Sequence, residues 1–140
     1  MYAVIRIRGL VNVTPNKAKA LMHLNLSRTN NMSLWQETKE MLEMIKVAEG
    51  FVTYGKITDE LAAKVIEEKG KMFTEEKDLK KAIAEVKKGK TLNQAGIKNC
   101  FHLSPPRKGF ERSGTKMPYH MGGALGNRKE AINELIERML

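Results

Sequence analysis

Cys100 and His102 are the residues whose types and spacing could support covalent chemistry. They stand two positions apart on a short predicted strand, which places both side chains on one face. A thiol nucleophile also needs a group that orients its base, and isolated cysteines are mostly buried and inert. The three histidines, His23, His102 and His120, lack the spacing of metal ligands. We therefore interpret Cys100 as a small core residue and expect neither a catalytic nor a metal site.

The glycine-rich segment 104–127 is a second candidate for chemistry, as a phosphate-binding loop. It holds 5 of the 11 glycines and 3 of the 4 prolines. However, it contains neither G-x-x-x-x-G-K-[ST] nor G-x-G-x-x-G, the patterns in which backbone amides cradle a nucleotide phosphate. The sequence therefore predicts no nucleotide cofactor and no small-molecule substrate.

Positive charge is the strongest signal for a partner. The 140 residues include 25 Lys and Arg against 16 Asp and Glu, a net charge of +9. Residues 1–57 have a net charge of +4 and residues 89–127 of +5, whereas the stretches 58–88 and 128–140 are balanced. Such clustering favours nucleic acid as the partner. Binding to a membrane surface typically uses an amphipathic helix with a basic polar face. The segments with the clearest helical periodicity here have no net charge, which disfavours a membrane surface as the partner.

The elements that would position these charges begin with a β-α-β-α-β order in residues 1–57, typical of an α+β fold. Alternating residues predict a strand over 2–8 with one apolar face and one basic face. Thr14 and Pro15 start a helix over 15–26, and Thr38 caps a second helix that ends at Gly50. Strands are predicted over 32–36 and 51–57.

Residues 58–140 are predicted to form a mostly helical extension. Two neutral helices follow Thr58 and Thr74, and the apolar stripe of the second is Leu79, Ala82, Ile83 and Val86. Residues 91–103 are predicted to form a helical turn, a break and a short strand. The last helix begins with a capping box of Asn127 and Glu130. It presents a stripe of Ile132, Leu135, Ile136 and Met139.

Between these elements, residues 104–127 are predicted to be a basic loop without secondary structure of its own. We expect such a loop to order on RNA, because glycine allows close approach and cations neutralise phosphates. Phe110 and Tyr119 could stack on unpaired bases or anchor the loop on the body. The candidate RNA-binding residues of the loop are Arg107, Lys108, Arg112, Lys116 and His120.

In the first segment, the candidates from residue type and position are Arg6, Arg8, Lys17 and Arg28. Lys17 lies in a first helical turn, where a cation opposes the helix dipole unless an anion binds there. It could equally be an ordinary solvated lysine. Trp35 is interpreted as a core residue rather than a stacking platform.

Several motifs resemble the L-thirty family of large-subunit ribosomal proteins. RIRGLVNVTP, KALMHLNLSRTN and FVTYGKIT are similar to the start and third strand of that family. TLNQAGI, F-H-L-x-P-P-R and G-G-x-L-G are similar to its archaeal form, whose eukaryotic relative is the L-seven protein. Glu43, Ser104 and Lys108 depart from the family pattern, two of them where glycine is usual.

The resemblance implies a three-stranded antiparallel sheet packed by two helices in residues 1–57, with an archaeal-type extension in residues 58–140. It implies a cytoplasmic, non-enzymatic constituent of the large ribosomal subunit that supports assembly and translation. It further implies binding to ribosomal RNA near the five-S RNA, beside neighbouring ribosomal proteins. The RNA-contacting regions carry over to Arg8, Asn12, Lys17, Arg28, Asn30, Arg107, Arg112, Lys116 and His120, with Lys108 as a substitute. A free-standing RNA-binding regulator or RNA chaperone is the alternative function.

Overall fold

A computed structural model describes residues 1–73, 83, 84, 86 and 91–140. Its first segment contains β1 (Tyr2–Arg6), α1 (Pro15–His23), β2 (Asn31–Trp35), α2 (Lys39–Ala48) and β3 (Val52–Lys56). The predicted β-α-β-α-β order is therefore confirmed. Thr38 caps α2 as predicted, since its Oγ1 accepts a hydrogen bond from the Met41 amide at 3.3 Å.

β1 is the centre of an antiparallel arrangement with β2 and β3. Ala3 lies opposite Leu34 of β2 on one side and opposite Gly55 of β3 on the other. Alternation along these strands sends apolar side chains to both faces of the sheet. The sheet must therefore be covered on both sides.

Among the described residues the sheet has five strands: the predicted three-stranded antiparallel arrangement of residues 1–57 is present, but the prediction is corrected because two further strands extend it. β4 (Phe101–His102) pairs antiparallel with β2, and β5 (Gly126–Asn127) pairs parallel with β3, giving the order β4-β2-β1-β3-β5. Each added strand has only two residues, too few to produce a periodic sequence pattern. Both cover an edge of the central strands, which would otherwise expose unpaired backbone groups.

Helices cover the two faces separately. On one face, Val4 and Val52 pack with residues of α1 and α2, including Leu21 and Ile45. On the other, Ala3 and neighbouring apolar residues pack against α3 (Asp59–Lys69) and α4 (Ile132–Met139). The extension thus supplies the second helical layer. The division at residue 57 stays a prediction, because a shared core does not decide which segments fold alone.

The strand at the N-terminus departs from its predicted pattern. Its expected basic face is buried at Arg6, which is only 2% exposed. The reason is that the helices α1 and α2 cover this face, which a period-2 pattern does not reveal.

The C-terminal elements confirm one prediction and correct another. The stripe of Ile132, Leu135, Ile136 and Met139 is fully buried, as predicted. The capping box is wrong: the Asn127 side chain accepts from the Lys129 amide and starts a short 3-10 turn that precedes α4. The helix predicted after Thr74 lies mostly outside the described residues, although Ile83 and Val86 of its stripe are buried. Among the residues that are described, no helix is long and apolar enough to cross a bilayer.

Candidate nucleic-acid interface

A groove of about 920 Å³ runs between the first segment and the loop 104–127. We call it the basic groove. Within the described part of the chain, five of its lining side chains carry or can carry positive charge: Arg8, Lys17, Lys46, Lys116 and His120. Four of these were predicted RNA contacts, two from each of two segments that lie about a hundred residues apart in sequence. The fold therefore joins two of the predicted basic clusters into one surface.

Phe51 positions the two cations of the first segment. Its ring lies 5.1 Å from the Arg8 guanidinium carbon and 5.7 Å from Lys17 Nζ, within the range of cation–π contact. Arg8 Nη1 also donates to the Gly50 carbonyl at 3.3 Å. One aromatic ring thus contacts two like charges, of which Lys17 belongs to the first turn of α1. Such an arrangement is best stabilised by an anion bound between them.

Lys46 is a groove residue that the sequence did not point to. It lies in the last turn of α2, where a cation interacts favourably with the helix dipole. The dipole alone explains a lysine at this position, so the sequence does not indicate a bound anion there. The only available signal was its position off the apolar stripe of Met41, Ile45 and Ala48. Lys116 and His120 line the same groove, to which the fold brings them from a distant part of the sequence.

The loop that contributes Lys116 and His120 is held by its own backbone. The Tyr119 amide donates to the Leu125 carbonyl at 2.7 Å, and the Leu125 amide donates to the Met117 carbonyl at 3.2 Å. A side chain at Gly123 would overlap the Met117 carbonyl, so this closure requires glycine. The expectation of a loop without secondary structure is corrected: it contains a 3-10 turn at Tyr119–Met121 and includes β5.

Arg128 connects the loop to the sheet through hydrogen bonds. It was not predicted as a functional residue, because it belongs to the segment 128–140, which has no net charge. Its side chain is buried and forms a bidentate ion pair with Glu111. It also donates to Thr53 Oγ1 at 2.9 Å and to the Ala124 carbonyl at 3.1 Å. Its guanidinium lies 4.7 Å from the ring centre of Tyr119. Arg128 therefore positions the groove rather than offering a contact to solvent.

The two roles predicted for the aromatic residues of the loop have different outcomes: the structure shows anchoring at Phe110, and base stacking by Tyr119 stays a prediction. Phe110 packs against the core and acts as an anchor. Tyr119 is half-buried, lines the basic groove and rests on Arg128. Trp35 is also half-buried and donates to Ser33 Oγ at 2.9 Å, in keeping with its interpretation as a packing residue.

The ion pair of Glu111 makes stability depend on pH. Burial alone would raise the pKa of Glu111, but the hydrogen bond and charge of Arg128, with a further contribution from Arg138, lower it below its ordinary value. A carboxylate with a lowered folded-state pKa stabilises the protein above its unfolded pKa, and this contribution disappears as pH falls through the folded-state value.

We expect Glu111→Gln to lower the free energy of unfolding by about 2 kcal/mol at pH 7, because Arg128 would lose its charged partner. The difference from the unsubstituted protein should shrink as pH is lowered from about 5 to about 3. Urea denaturation at several pH values measures it. Glu137→Gln removes an exposed carboxylate from α4 and serves as the matched control. A pH-independent difference would contradict this assignment.

Arg6 was predicted to contact RNA, and the structure does not support that role. Its Nη1 donates to the carbonyls of Leu26 and Ser27, both at 2.8 Å, and its Nε donates to the Arg8 carbonyl at 2.8 Å. Burial lowers the pKa of its guanidinium. Because Arg6 is enclosed and its donors bond to backbone, we leave it out of the interface and regard it as positioning Arg8.

Two groups of predicted residues do not line the basic groove. Asn12 and Arg28 are exposed in turns, and Asn30 has a positive φ of 62° while its amide donates to the Arg6 carbonyl. The second group is exposed in the first half of the loop and comprises Arg107, Lys108 and Arg112. The backbone amide of Arg107 donates to the Arg138 carbonyl at the end of α4. These residues remain predictions outside the groove.

Cys100 and His102 point to the same side, as predicted, and both contact Asn31. The Asn31 amide nitrogen lies 3.5 Å from Cys100 Sγ, and its Oδ1 lies 2.7 Å from His102 Nδ1. Burial raises the pKa of the Cys100 thiol, outweighing the opposite effect of Lys71. A thiol that holds its proton is a poor nucleophile. The described residues contain no cluster suited to a metal ion.

The chain is similar to known proteins of the large ribosomal subunit. Residues 2–52 match the family model described as "Ribosomal protein L30p/L7e". The "Large ribosomal subunit protein uL30" of Methanosphaera stadtmanae is 34% identical, with the alignment covering all of both chains. The protein of that name from Nanoarchaeum equitans is 34% identical over 100% of this chain and 99% of its own. The one from Methanococcus vannielii is 37% identical over 99% of each.

Proposed function

The chain belongs to the ribosomal protein L30p/L7e family and is a structural, non-enzymatic constituent of the large ribosomal subunit, and from this premise we propose that it binds ribosomal RNA through the basic groove. The observation that supports this most is the convergence of Arg8, Lys17, Lys46 and Lys116 on one concave surface. In the described part of the chain, none of the four forms an ion pair.

The mechanism follows from the chemistry of these cations. Lysine and arginine neutralise phosphates and release the counterions condensed on RNA, which provides affinity that falls as salt rises. The major groove of an A-form helix is too narrow for side chains to reach, so recognition depends on the backbone and on shape. The cations of the basic groove would bind the phosphate backbone. Phe51 and Arg128 would position the side chains that line the groove.

The remaining candidates complete the proposed interface. We assign secondary phosphate contacts to the residues of the two outer groups, which are exposed except for the half-buried Asn30: Asn12, Arg28, Asn30, Arg107, Lys108 and Arg112. By resemblance to the family, the protein would lie near the five-S RNA, contact neighbouring ribosomal proteins and act in the cytoplasm during subunit assembly and translation.

Filter binding of the purified protein to large-subunit RNA tests the proposal. We expect the logarithm of the association constant to fall linearly and steeply with the logarithm of the salt concentration, because several phosphates are neutralised. Absence of binding, or binding that salt does not weaken, would refute it.

Sedimentation of ribosomes distinguishes a subunit constituent from a free-standing regulator or RNA chaperone. A constituent is enclosed by RNA on several sides and should remain with the large subunit after a high-salt wash. A chaperone with the same fold would be released. Release of the full-length protein at moderate salt would therefore favour the alternative function.

A further inference from the structure

Among the residues that the structure describes, Glu49 is the one acidic side chain that lines the basic groove. It follows α2 directly, is exposed, and makes no side-chain hydrogen bond or ion pair in the part of the chain that the structure describes. A carboxylate on a phosphate-binding surface opposes phosphate binding. Its location among four cations therefore calls for a reason other than affinity for the RNA backbone.

The position of the carboxylate suggests that reason. A side chain at Gly126 would place its Cβ 3.5 Å from Glu49 Oε1, so the carboxylate lies beside the bare backbone of β5. Tyr119 lines the same groove, with its ring held by Arg128. An acceptor with two oxygens, an aromatic ring and surrounding cations together match a nucleotide: its base edge, its base face and its phosphates.

The chemistry of the bases selects among nucleotides. The Watson–Crick edge of guanine presents two adjacent donors, N1–H and N2–H, that a carboxylate can accept at once. Adenine and cytosine present one amino group next to an acceptor nitrogen, and uracil presents one imino group between two carbonyls. A carboxylate is repelled by these neighbouring acceptors, so guanine is the complementary base.

We propose that the basic groove binds an unpaired guanosine of RNA, with Glu49 accepting hydrogen bonds from its Watson–Crick edge and the surrounding cations holding its phosphates. The guanosine must be unpaired because pairing with cytosine occupies the same edge. The groove volume of about 920 Å³ lies within the range of sites that enclose small molecules. This inference rests on the proposed RNA-binding function and specifies the ligand of the same surface.

The test uses three five-residue oligoribonucleotides that are uridine at every position except the central one, which is guanosine, adenosine or uridine. Fluorescence anisotropy with the full-length protein should give about tenfold tighter binding of the guanosine oligonucleotide. Glu49→Gln should abolish this preference, because an amide offers one acceptor and one donor. Glu43→Gln, which makes the same change on α2 outside the basic groove, should retain it.

The sign of the Glu49→Gln effect separates the possible outcomes. If Glu49 is only a repulsive charge, its removal will tighten binding of all three oligonucleotides equally, and the inference is wrong. Equal binding of the three by the unsubstituted protein would also overturn it, while leaving RNA binding by the groove intact. Failure to bind large-subunit RNA at all would instead overturn the proposed function.

Discussion

The combined substitutions Lys17→Ala, Lys46→Ala and Lys116→Ala are expected to weaken binding to large-subunit RNA by roughly 100-fold or more at about 0.1 M salt. Each lysine that neutralises a phosphate releases close to one counterion, and three such contacts act together. The same substitutions should reduce the slope of log affinity against log salt by roughly two to three. Filter binding across a salt series measures both quantities.

A matched variant shows whether location or total charge is responsible. Lys19→Ala, Lys39→Ala and Lys64→Ala together remove the same net charge from exposed positions that do not line the basic groove. This control should change affinity much less. Equal losses in the two triple variants would mean that the protein attracts RNA through its overall charge, and that the groove has no special part.

Gly55→Ala is expected to destabilise the fold by about 3 kcal/mol, which corresponds to a fall of roughly 10 °C in melting temperature. Gly55 lies in β3 under the start of α4. An added Cβ would overlap the Lys129 carbonyl and lie 3.0 Å from both Cβ and Cγ2 of Ile132. The methyl group would therefore push α4 away from the sheet. Four apolar side chains of α4 are buried against the core and would lose part of that packing.

The loss of stability should arise from this overlap and not from the general effect of replacing glycine. Gly9→Ala is the control, because a Cβ at that position has no atom within 4 Å and its φ is not positive. It should leave stability unchanged or raise it slightly, through lower entropy of the unfolded chain. Thermal unfolding of both variants distinguishes the two causes. Similar melting temperatures for both would contradict the close packing of α4 on β3.

Elements with a long repeating pattern were predictable. The α4 stripe spans two helical turns, and all four of its apolar residues are buried as expected. β4 and β5 were different: Phe101–His102 was predicted as a strand without its partner, and Gly126–Asn127 was not predicted at all. Two residues carry no period, and their strand character depends on hydrogen bonds to β2 and β3 that only the folded chain supplies.

In the candidate site too, residues indicated by a local sequence pattern were predicted, whereas residues whose role depends on tertiary contacts were not. Arg8, Lys17, Lys116 and His120 were predicted from residue type and local position, and all four line the basic groove. Lys46 was not, because the helix dipole already accounted for a cation there. Arg6 has the same residue type and strand as Arg8, yet its side chain is enclosed. Burial depends on which helices pack over each face of the sheet.

The sequence by itself determined where the positive charge is concentrated, which stretches form helices and long strands, and which family the motifs resemble. These properties depend on residue types and on spacings within about ten residues. Only the tertiary structure decided that the two basic segments meet in one groove and that Glu49 lies among their cations. It also decided that Arg128 and Glu111 pair to hold the loop. These contacts join residues far apart in the chain, and the energy that selects them comes from packing the sheet between its two helical layers.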